Sequence, residues 1–366
     1  MGEHRPTLVR PPPVDVSKAP IENALELTDL SIIGPDIFTN TRELWHPPGA
    51  RGIYGGAVIA QTLAAAQRTV PADFVVHSYH CFFVLAGDSS IPIVYYVERV
   101  REGRSFCTRT VQARQRGHAI FTVTCSFVRE RSGGEKTVEH STPMPRAALE
   151  NPPEDGYRDP EFLSRGGGKG GGSERHNDDP FQSLRLRPSD GEGKGGRGEC
   201  DKRVWQWVRA RGKISEEGGH QAHLSALAYI SDSFFIGTIP RIHRLWRYAT
   251  KPEDLDKLDE GSREYLEKLN EWEGGEGPLE VYKGRPRLGM MVSLDHSIYF
   301  HNPKSVKADE WMFTEMESPW AGDGRGVVMQ RVWSKDGVLL ATAFQEGVVR
   351  LKDEDKEKKK QEKAKL

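Results

Sequence analysis

Two stretches in the first half of the chain have residue patterns that decide its fold. The first is YGGAVIAQTLAAAQ at residues 54–67, where two glycines lead into a run of strong helix formers. The second is HAIFTVTCSFV at residues 118–128. Its alternate positions are apolar: Ala119, Phe121, Val123, Cys125 and Phe127. Because side chains on a strand alternate between the two sheet faces, this spacing predicts a strand with one buried face, against which the helix is expected to pack.

The same order of elements occurs twice along the chain. Further strand-like runs of the first half lie at 77–84, 91–100 and 105–113. In the second half a helical run at 221–231 precedes strand-like runs at 291–300, 310–318, 326–333 and 338–350. A Gly-Arg pair opens a strand at corresponding places, Gly103-Arg104 and Gly324-Arg325. Each half therefore predicts a helix followed by an antiparallel meander, and the whole predicts an α+β double hotdog fold.

Composition changes divide the chain into domains. We expect an N-terminal hotdog domain at 22–130, a Gly-rich linker at 131–200 and a C-terminal hotdog domain at 201–351. A charged stretch at 251–277, with a helical patch at 265–272, is interpreted as a surface insertion. The remaining residues, 352–366, form a charged tail.

Charge and composition exclude several classes of function. The 366 residues carry 52 Lys and Arg against 53 Asp and Glu, so no overall field favours nucleic acid. The longest apolar runs are too short to span a bilayer, and the polar, Pro-rich start predicts no secretory signal. The four cysteines are Cys81, Cys107, Cys125 and Cys200. They form no CxxC pair and have no metal-ligand spacing, so we expect no bound metal, and we expect no cofactor.

The chain ends in Ala364-Lys365-Leu366. This tripeptide differs by one conservative change from Ser-Lys-Leu, a peroxisomal address that a receptor reads at a free C-terminus. A solvated Lys-rich tail presents such a signal, although the match could also be an accident of lysine content. We predict binding to the peroxisomal import receptor and a location in the peroxisome matrix.

Several motifs in the same order resemble the acyl-CoA thioesterase II (TesB-like) family, which includes peroxisomal acyl-CoA thioesterases. The resemblance covers about residues 22–130 and 201–351. The motifs are Tyr54-Gly55-Gly56, Val76-His77-Ser78-Tyr79-His80, Gly103-Arg104-Ser105-Phe106, Tyr229-Ile230-Ser231-Asp232, Leu294-Asp295-His296-Ser297 with Phe300-His301, and Gln345-Glu346-Gly347. It implies a double hotdog fold that hydrolyses fatty acyl-CoA to the free fatty acid and CoA.

The family uses an Asp, a Thr or Ser and a Gln to hold the attacking water. Carried onto this chain, the resemblance implies Asp232, Ser293 and Gln345, with Ser293 where the bacterial pattern has Thr. An Asp can accept the proton of the water while the hydroxyl and the amide direct it, so no covalent nucleophile is required. The missing Gly-x-Ser-x-Gly motif agrees with that chemistry.

Strand alternation supports Gln345 independently. Counting back by two gives apolar residues at 343, 341 and 339, so Gln345 lies on the face expected to be buried. Its counterpart in the first half, counted from the turn glycines, is Cys125. A buried amide needs hydrogen-bond partners. The alternative is a core glutamine satisfied by backbone groups.

Other residues are candidates for binding substrate. Tyr54, Gly55 and Gly56 could aim backbone N–H groups at a thioester oxygen or a phosphate, or could instead allow a close helix–sheet approach. His77 is a further candidate, interpreted as the counterpart of His296, with a core histidine as the alternative. Asp295 and His296 are neighbours on one strand and should point to opposite faces, so we interpret them as structural residues or as residues that support the site without touching substrate.

Two other functions remain open at this point. Hotdog enoyl-CoA hydratases share the fold and place an Asp and a His in one site. A non-catalytic acyl-CoA-binding protein is the third possibility. The first half has no equivalent of the set Asp232, Ser293 and Gln345, so we expect one active site per chain. Double hotdogs commonly pair, which makes a homo-oligomer a further expectation.

Overall fold

The computed structural model describes residues 5–45, 52–163, 179–186, 198–275 and 277–353. The helices of these ranges are α1 (Pro20–Leu25), α2 (Gly55–Gln67), α3 (Arg146–Glu150), α4 (Gly219–Ser231), α5 (Thr238–Ile242) and α6 (Glu260–Trp272). The strands are β1 (Leu27–Asp29), β2 (Ile37–Asn40), β3 (Phe74–Phe83), β4 (Val94–Glu102), β5 (Phe106–Gln115), β6 (His118–Arg129), β7 (Phe181–Leu186), β8 (Val204–Ala210), β9 (Leu288–Ser293), β10 (Asp295–Phe300), β11 (Met312–Gly322), β12 (Arg325–Ser334) and β13 (Leu339–Leu351). Across these ranges, no helix is both long and apolar enough to cross a membrane.

The strands form one antiparallel sheet in the order β1-β2-β4-β5-β6-β3-β10-β13-β12-β11-β8-β7, with β9 also paired to β13. The two halves join where β3 pairs with β10, placing Tyr79 opposite Ile298. The predicted meander is correct only for the last three strands of each half. The first strand, β3 or β10, returns to pair with the last one, β6 or β13. The first strand of each half thus lies at the edge where the two halves join.

The predicted helices and the buried face of the alternating strand are confirmed. Helices α2 and α4 each begin two residues before the predicted start and end at the predicted residue. On β6, Phe121, Val123, Cys125 and Phe127 are all at most 2% exposed. Their side chains join α2 and α4 in one apolar core on the inner face of the sheet.

Helices α2 and α4 lie against each other and run antiparallel. Gly55 and Gly56, at the start of α2, touch the end of α4, whereas Gln67 at the end of α2 reaches Ser225. A Cβ atom on Gly56 would overlap the carbonyl oxygen of Tyr229, so only glycine permits this approach. The predicted close approach therefore exists: Gly56 lies against the other helix, and Gly55 also lies against Phe83 at the end of β3.

The strand predicted at 291–300 is interrupted at Leu294. Ser293 lies opposite Gly347, whereas Ser297 lies opposite Phe344, so the register shifts by one residue between β9 and β10. A one-residue shift turns every following side chain to the other face. Continuing the β10 register by one residue places His296 opposite Gln345, on the inner face.

The range 131–200, predicted as a linker, contains regular structure in its described part. Helix α3 covers an apolar cluster on the outer face of the second half, and β7 extends the sheet by pairing with β8. The linker interpretation is therefore wrong for these two elements. The glycine-rich residues 166–172 lie outside the described residues. The predicted helical patch of the insertion is part of α6.

Replacing Gly56 by Ala should lower the free energy of unfolding by about 1–3 kcal/mol, because the new methyl group forces α2 away from Tyr229. Gly261 in α6 is a matched control, since a Cβ there meets only an aspartate oxygen at 3.5 Å. Gly261→Ala should be neutral or stabilising by up to about 1 kcal/mol. Urea unfolding of both variants checks this. Equal effects of the two substitutions would show that the α2–α4 approach is not constrained as described.

Candidate active site

Asp232 stands at the meeting point of the two central helices. It caps the C-terminal end of α4, and its side chain is 9% exposed. One carboxylate oxygen, Oδ1, accepts a hydrogen bond of 2.7 Å from Nε2 of Gln345. The backbone N–H of Gly56, in the first turn of α2, also donates to this carboxylate. A Cβ on Gly55 would come within 2.7 Å of the other oxygen, Oδ2.

These surroundings set the charge of Asp232. Burial raises the pKa of Asp232 to about 6, while the hydrogen bonds from Gln345 and Gly56 act in the opposite direction. The C-terminal end of α4 disfavours a negative charge, but the N-terminal end of α2 favours one. The result is a carboxylate that is ionised at neutral pH and still basic enough to accept a proton.

Gln345 is the link between Asp232 and the sheet. Its side chain is fully buried on β13, and Nε2 also lies 3.1 Å from Nδ1 of His296. Both N–H groups of the amide are thereby directed at acceptors. Among the residues that the structure describes, the amide oxygen Oε1 is buried without a hydrogen-bond partner. A buried amide oxygen of this kind is a ready acceptor for a bound hydroxyl group or water.

His296 fixes the orientation of that amide. Its Nε2 lies 3.1 Å from Oγ of Ser231, whose hydroxyl donates to the carbonyl oxygen of Ala228. Since the Ser231 hydroxyl donates elsewhere, His296 must carry its proton on Nε2 and accept from Gln345 at Nδ1. Complete burial lowers the pKa of His296 to about 3, so the ring is neutral.

The sequence comparisons identify both halves. A family model described as "Acyl-CoA thioesterase C-terminal domain" matches residues 150–349, and its N-terminal counterpart matches residues 42–128. The chain belongs to the acyl-CoA thioesterase family. It is 34% identical to human "Acyl-coenzyme A thioesterase 8" over 95% of this chain and 94% of the relative. It is 24% identical to "Peroxisomal acyl-coenzyme A thioester hydrolase 1" of Saccharomyces cerevisiae over 92% and 97% of the two chains.

Solved structures agree on the fold. The crystal structure of acyl-CoA thioesterase II TesB2 from Mycobacterium marinum has a TM-score of 0.61 and 26% identity, covering 91% of this chain and 98% of the other. A conserved protein with a hot dog fold from Alicyclobacillus acidocaldarius has a TM-score of 0.53 and 16% identity, over 91% and 98% of the two chains. The expected double hotdog fold and thioester-hydrolase class are thus confirmed for this thioesterase.

The structure brings most of the predicted site residues of the thioesterase together. Asp232 and Gln345 are in direct contact, and Gly55 and Gly56 adjoin the carboxylate. Tyr54 precedes these glycines, and its hydroxyl donates to the carbonyl oxygen of Tyr229 at 2.9 Å. The N–H of Gly56 points at Asp232 itself, a use that the sequence interpretation did not consider.

Ser293 and His77 have different positions. Ser293 is half-buried at the end of β9, opposite Gly347, and so shares the sheet face of Gln345 two residues away. His77 bonds to Oγ of Ser126, which points to the outer face because its neighbours on β6 point inward. His77 therefore lies on the other side of the sheet from Asp232, away from the other candidate site residues.

Among the described residues, the first half of the thioesterase has no second copy of this site. Cys125 lies opposite Tyr79 as Gln345 lies opposite His296, so Tyr79 and not His77 is the counterpart of His296. The hydroxyl of Tyr79 is buried against Thr62. Where α4 is capped by Asp232, α2 is capped by Arg68. In the first half, Arg68 thus takes the place of the carboxylate, and Cys125 takes the place of the amide.

His296 is the residue whose role sequence reasoning left open. Adjacent residues on a regular strand do point to opposite faces, and Asp295 indeed faces away, accepting the N–H of Glu346 at 2.7 Å. The register shift at Leu294 turns the side chain of His296, and not that of Asp295, towards the inner face of the sheet. No group of three or more His, Cys, Asp or Glu side chains that could hold a metal occurs among the described residues.

The raised pKa of Asp232 predicts how stability depends on pH. Since the folded-state pKa exceeds the usual 3.8, the ionised group opposes folding above about pH 6, and this term disappears as pH falls through 6 towards 4. The Asp232→Asn variant has no ionisable group at this position and therefore lacks this destabilising effect. Between pH 4 and pH 8 the variant should gain up to about 3 kcal/mol of unfolding free energy relative to wild type. A difference measured by urea unfolding that stays constant over this range would contradict the burial of the charge.

Proposed function

We propose that this chain hydrolyses fatty acyl-CoA thioesters to the free acid and CoA by direct attack of water, with Asp232 as general base. The observation that carries the proposal is the contact between the carboxylate of Asp232 and the amide of Gln345, held at 2.7 Å in a buried setting. A carboxyl group with a pKa of about 6 is ionised at pH 7 and close to the optimum for proton transfer.

The bonding changes need only these groups. A water held between Asp232 and the unpartnered Oε1 of Gln345 attacks the thioester carbon and passes its proton to the carboxylate. The tetrahedral intermediate collapses as the carbon–sulfur bond breaks, and the electron pair leaves on sulfur. The proton then moves from Asp232 to the thiolate or to solvent. No covalent enzyme intermediate is required, since a thiolate is already a good leaving group.

Supporting roles follow from position. Ser293, on the sheet face of Gln345, is assigned to orienting the water or the thioester by its hydroxyl. The first turn of α2, which begins after Tyr54, is assigned to stabilising the negative charge that develops on the carbonyl oxygen. Gly55 has no side chain, which lets the carboxylate of Asp232 and the ring of Phe83 lie against that turn.

An enoyl-CoA hydratase would use Asp232 together with His296, whose Nδ1 lies 3.9 Å from Oδ1 of the carboxylate. The hydrogen bonds of His296 argue against this role. Both ring nitrogens have partners within the protein, and the pKa of about 3 leaves the ring unable to hold a second proton near neutral pH. His296 is better suited to positioning Gln345.

The proposal is tested by thiol release from acyl-CoA substrates of C2 to C18. Asp232→Asn should lower kcat by about 10²–10⁴, the usual contribution of a general base. Asp295→Asn is the matched control, because Asp295 accepts a hydrogen bond from the N–H of Glu346, the residue after Gln345, yet faces away from the site. That variant should retain wild-type kcat. Undiminished turnover in Asp232→Asn would remove Asp232 from the mechanism.

We also propose that the chain is delivered to the peroxisome matrix. The similarity to the peroxisomal yeast enzyme supports this location, as does the C-terminal sequence Ala364-Lys365-Leu366, which lies outside the described residues. Deleting these three residues should move a fluorescently tagged chain to the cytosol without changing kcat. Continued import of the truncated chain would show that the import receptor does not read this signal.

A further inference from the structure

The guanidinium group of Arg185 on β7 is buried without a hydrogen-bond partner. Its Nε, Nη1 and Nη2 atoms are all inaccessible to solvent, and none has a partner among the described residues. The group stacks on the ring of Phe234, 4.3 Å from the ring centre. An unpaired buried charge is strongly unfavourable, so natural proteins keep one where a ligand of opposite charge binds.

Arg185 belongs to an arginine cluster, defined here as Arg185, Arg241 and Arg247 together with Glu273. Arg241 also stacks on the ring of Phe234, 4.8 Å from the ring centre. Glu273, next to the C-terminal end of α6, pairs with Arg247 at 2.6 Å and with Arg241 at 3.7 Å. Three positive charges thus face one negative charge. The excess positive charge lowers the pKa of Arg185 further, after burial as the main cause.

The arginine cluster lies close to the catalytic carboxylate along the chain. Phe234 is two residues beyond Asp232, so their Cα atoms are within about 7.6 Å of each other. Phe234 adopts a left-handed backbone conformation with φ of 57°, an unfavourable one for an aromatic residue. The two stacked guanidinium groups hold its ring in place.

Two buried amides without partners lie between Gln345 and Arg185 on the inner face of the sheet. Gln330 on β12 and Gln206 on β8 are at most 1% exposed, and both side-chain polar atoms of each lack partners among the described residues. Gln206 lies directly opposite Arg185, and Gln330 lies opposite Ala343, two residues from Gln345. Buried amides without partners indicate a polar ligand path, which a fatty acyl chain would not satisfy.

We propose that the arginine cluster binds a phosphate group of the CoA half of the substrate, and that Gln206 and Gln330 face its pantetheine arm. This inference rests on the proposed function, because it assigns the part of acyl-CoA that does not react. The arm carries two amide groups, which match the donors and acceptors of the glutamines. The phosphate matches planar guanidinium groups, which bind it by paired hydrogen bonds.

The dimensions agree with this assignment. Four strand spacings separate β13 from β7, or about 19 Å. The thirteen bonds from the sulfur to the first phosphorus of CoA extend over roughly 15 Å, and the long side chain of Arg185 covers the difference. The reacting carbonyl can therefore lie beside Gln345 while the phosphate contacts Arg185.

Kinetics with two substrates test the proposal: an acyl-CoA, and the same acyl group on pantetheine, which has no phosphate. Arg185→Met should raise KM for the acyl-CoA about 10- to 100-fold, as expected for lost charge-assisted hydrogen bonds, and leave kcat and the KM for acyl-pantetheine unchanged. Arg209 is the matched control. It stacks on Trp311 at 4.4 Å, but its guanidinium is hydrogen-bonded to Gln182, and Arg209→Met should change neither KM.

An equal rise for both substrates, or no rise for either, would overturn the proposal. A rise confined to substrates with a carboxylate at the far end of the acyl chain would assign the cluster to that carboxylate instead. Calorimetric binding of 3′,5′-ADP to wild type needs no variant, and absence of binding would also contradict the assignment. If Arg185-dependent binding of CoA persists without hydrolysis of any acyl-CoA, the proposed function fails and the phosphate site remains.

Discussion

The site depends on the close approach of α2 to α4 at Gly56. Because Gly56 has no side chain, the first turn of α2 reaches Tyr229 and directs its N–H at Asp232. The antiparallel packing sets the positive end of one helix against the end of the other, where a carboxylate would otherwise be unfavourable. Burial then raises the pKa of Asp232 to about 6 while the two hydrogen bonds keep it from rising further. Helix packing thus produces a group that is both charged and basic at neutral pH.

A neutral hydrogen-bond chain gives that carboxylate its direction. It runs from the carbonyl of Ala228 through Ser231 and His296 to Gln345 and ends at Asp232. Each member has one arrangement of donors and acceptors, so the amide oxygen of Gln345 remains available. The buried Oε1 of Gln345, and the amides of Gln330 and Gln206 beyond it, have no partners among the described residues. The inner face of the second half therefore has several buried polar groups that could pair with the amides of an extended substrate.

Local patterns in the sequence predicted the two helices, the alternating strands and the buried position of Gln345, because these depend on periodicity alone. The resemblance to a family supplied Asp232, for which a helix end is a weak signal by itself. His296 could not be assigned, since the one-residue shift at Leu294 reverses the face of every following residue and leaves no mark in composition. The counterpart of His296 in the first half could not be predicted for the same reason. Strand pairing shows that it is Tyr79 and not His77. Arg185 lies between glycine-rich stretches that indicate a linker, and only its pairing with Gln206 reveals β7.

The measurement that tests the central claim most directly is the pH dependence of kcat/KM for a long-chain acyl-CoA with the wild-type chain. This quantity reports the pKa of the essential base in the free enzyme. If Asp232 is the base in the environment described, kcat/KM should be constant above about pH 7 and fall tenfold per unit below an inflection near 6. An inflection near 4, or a constant kcat/KM down to pH 5, would show that the reaction does not depend on a buried carboxylate at the meeting of α2 and α4.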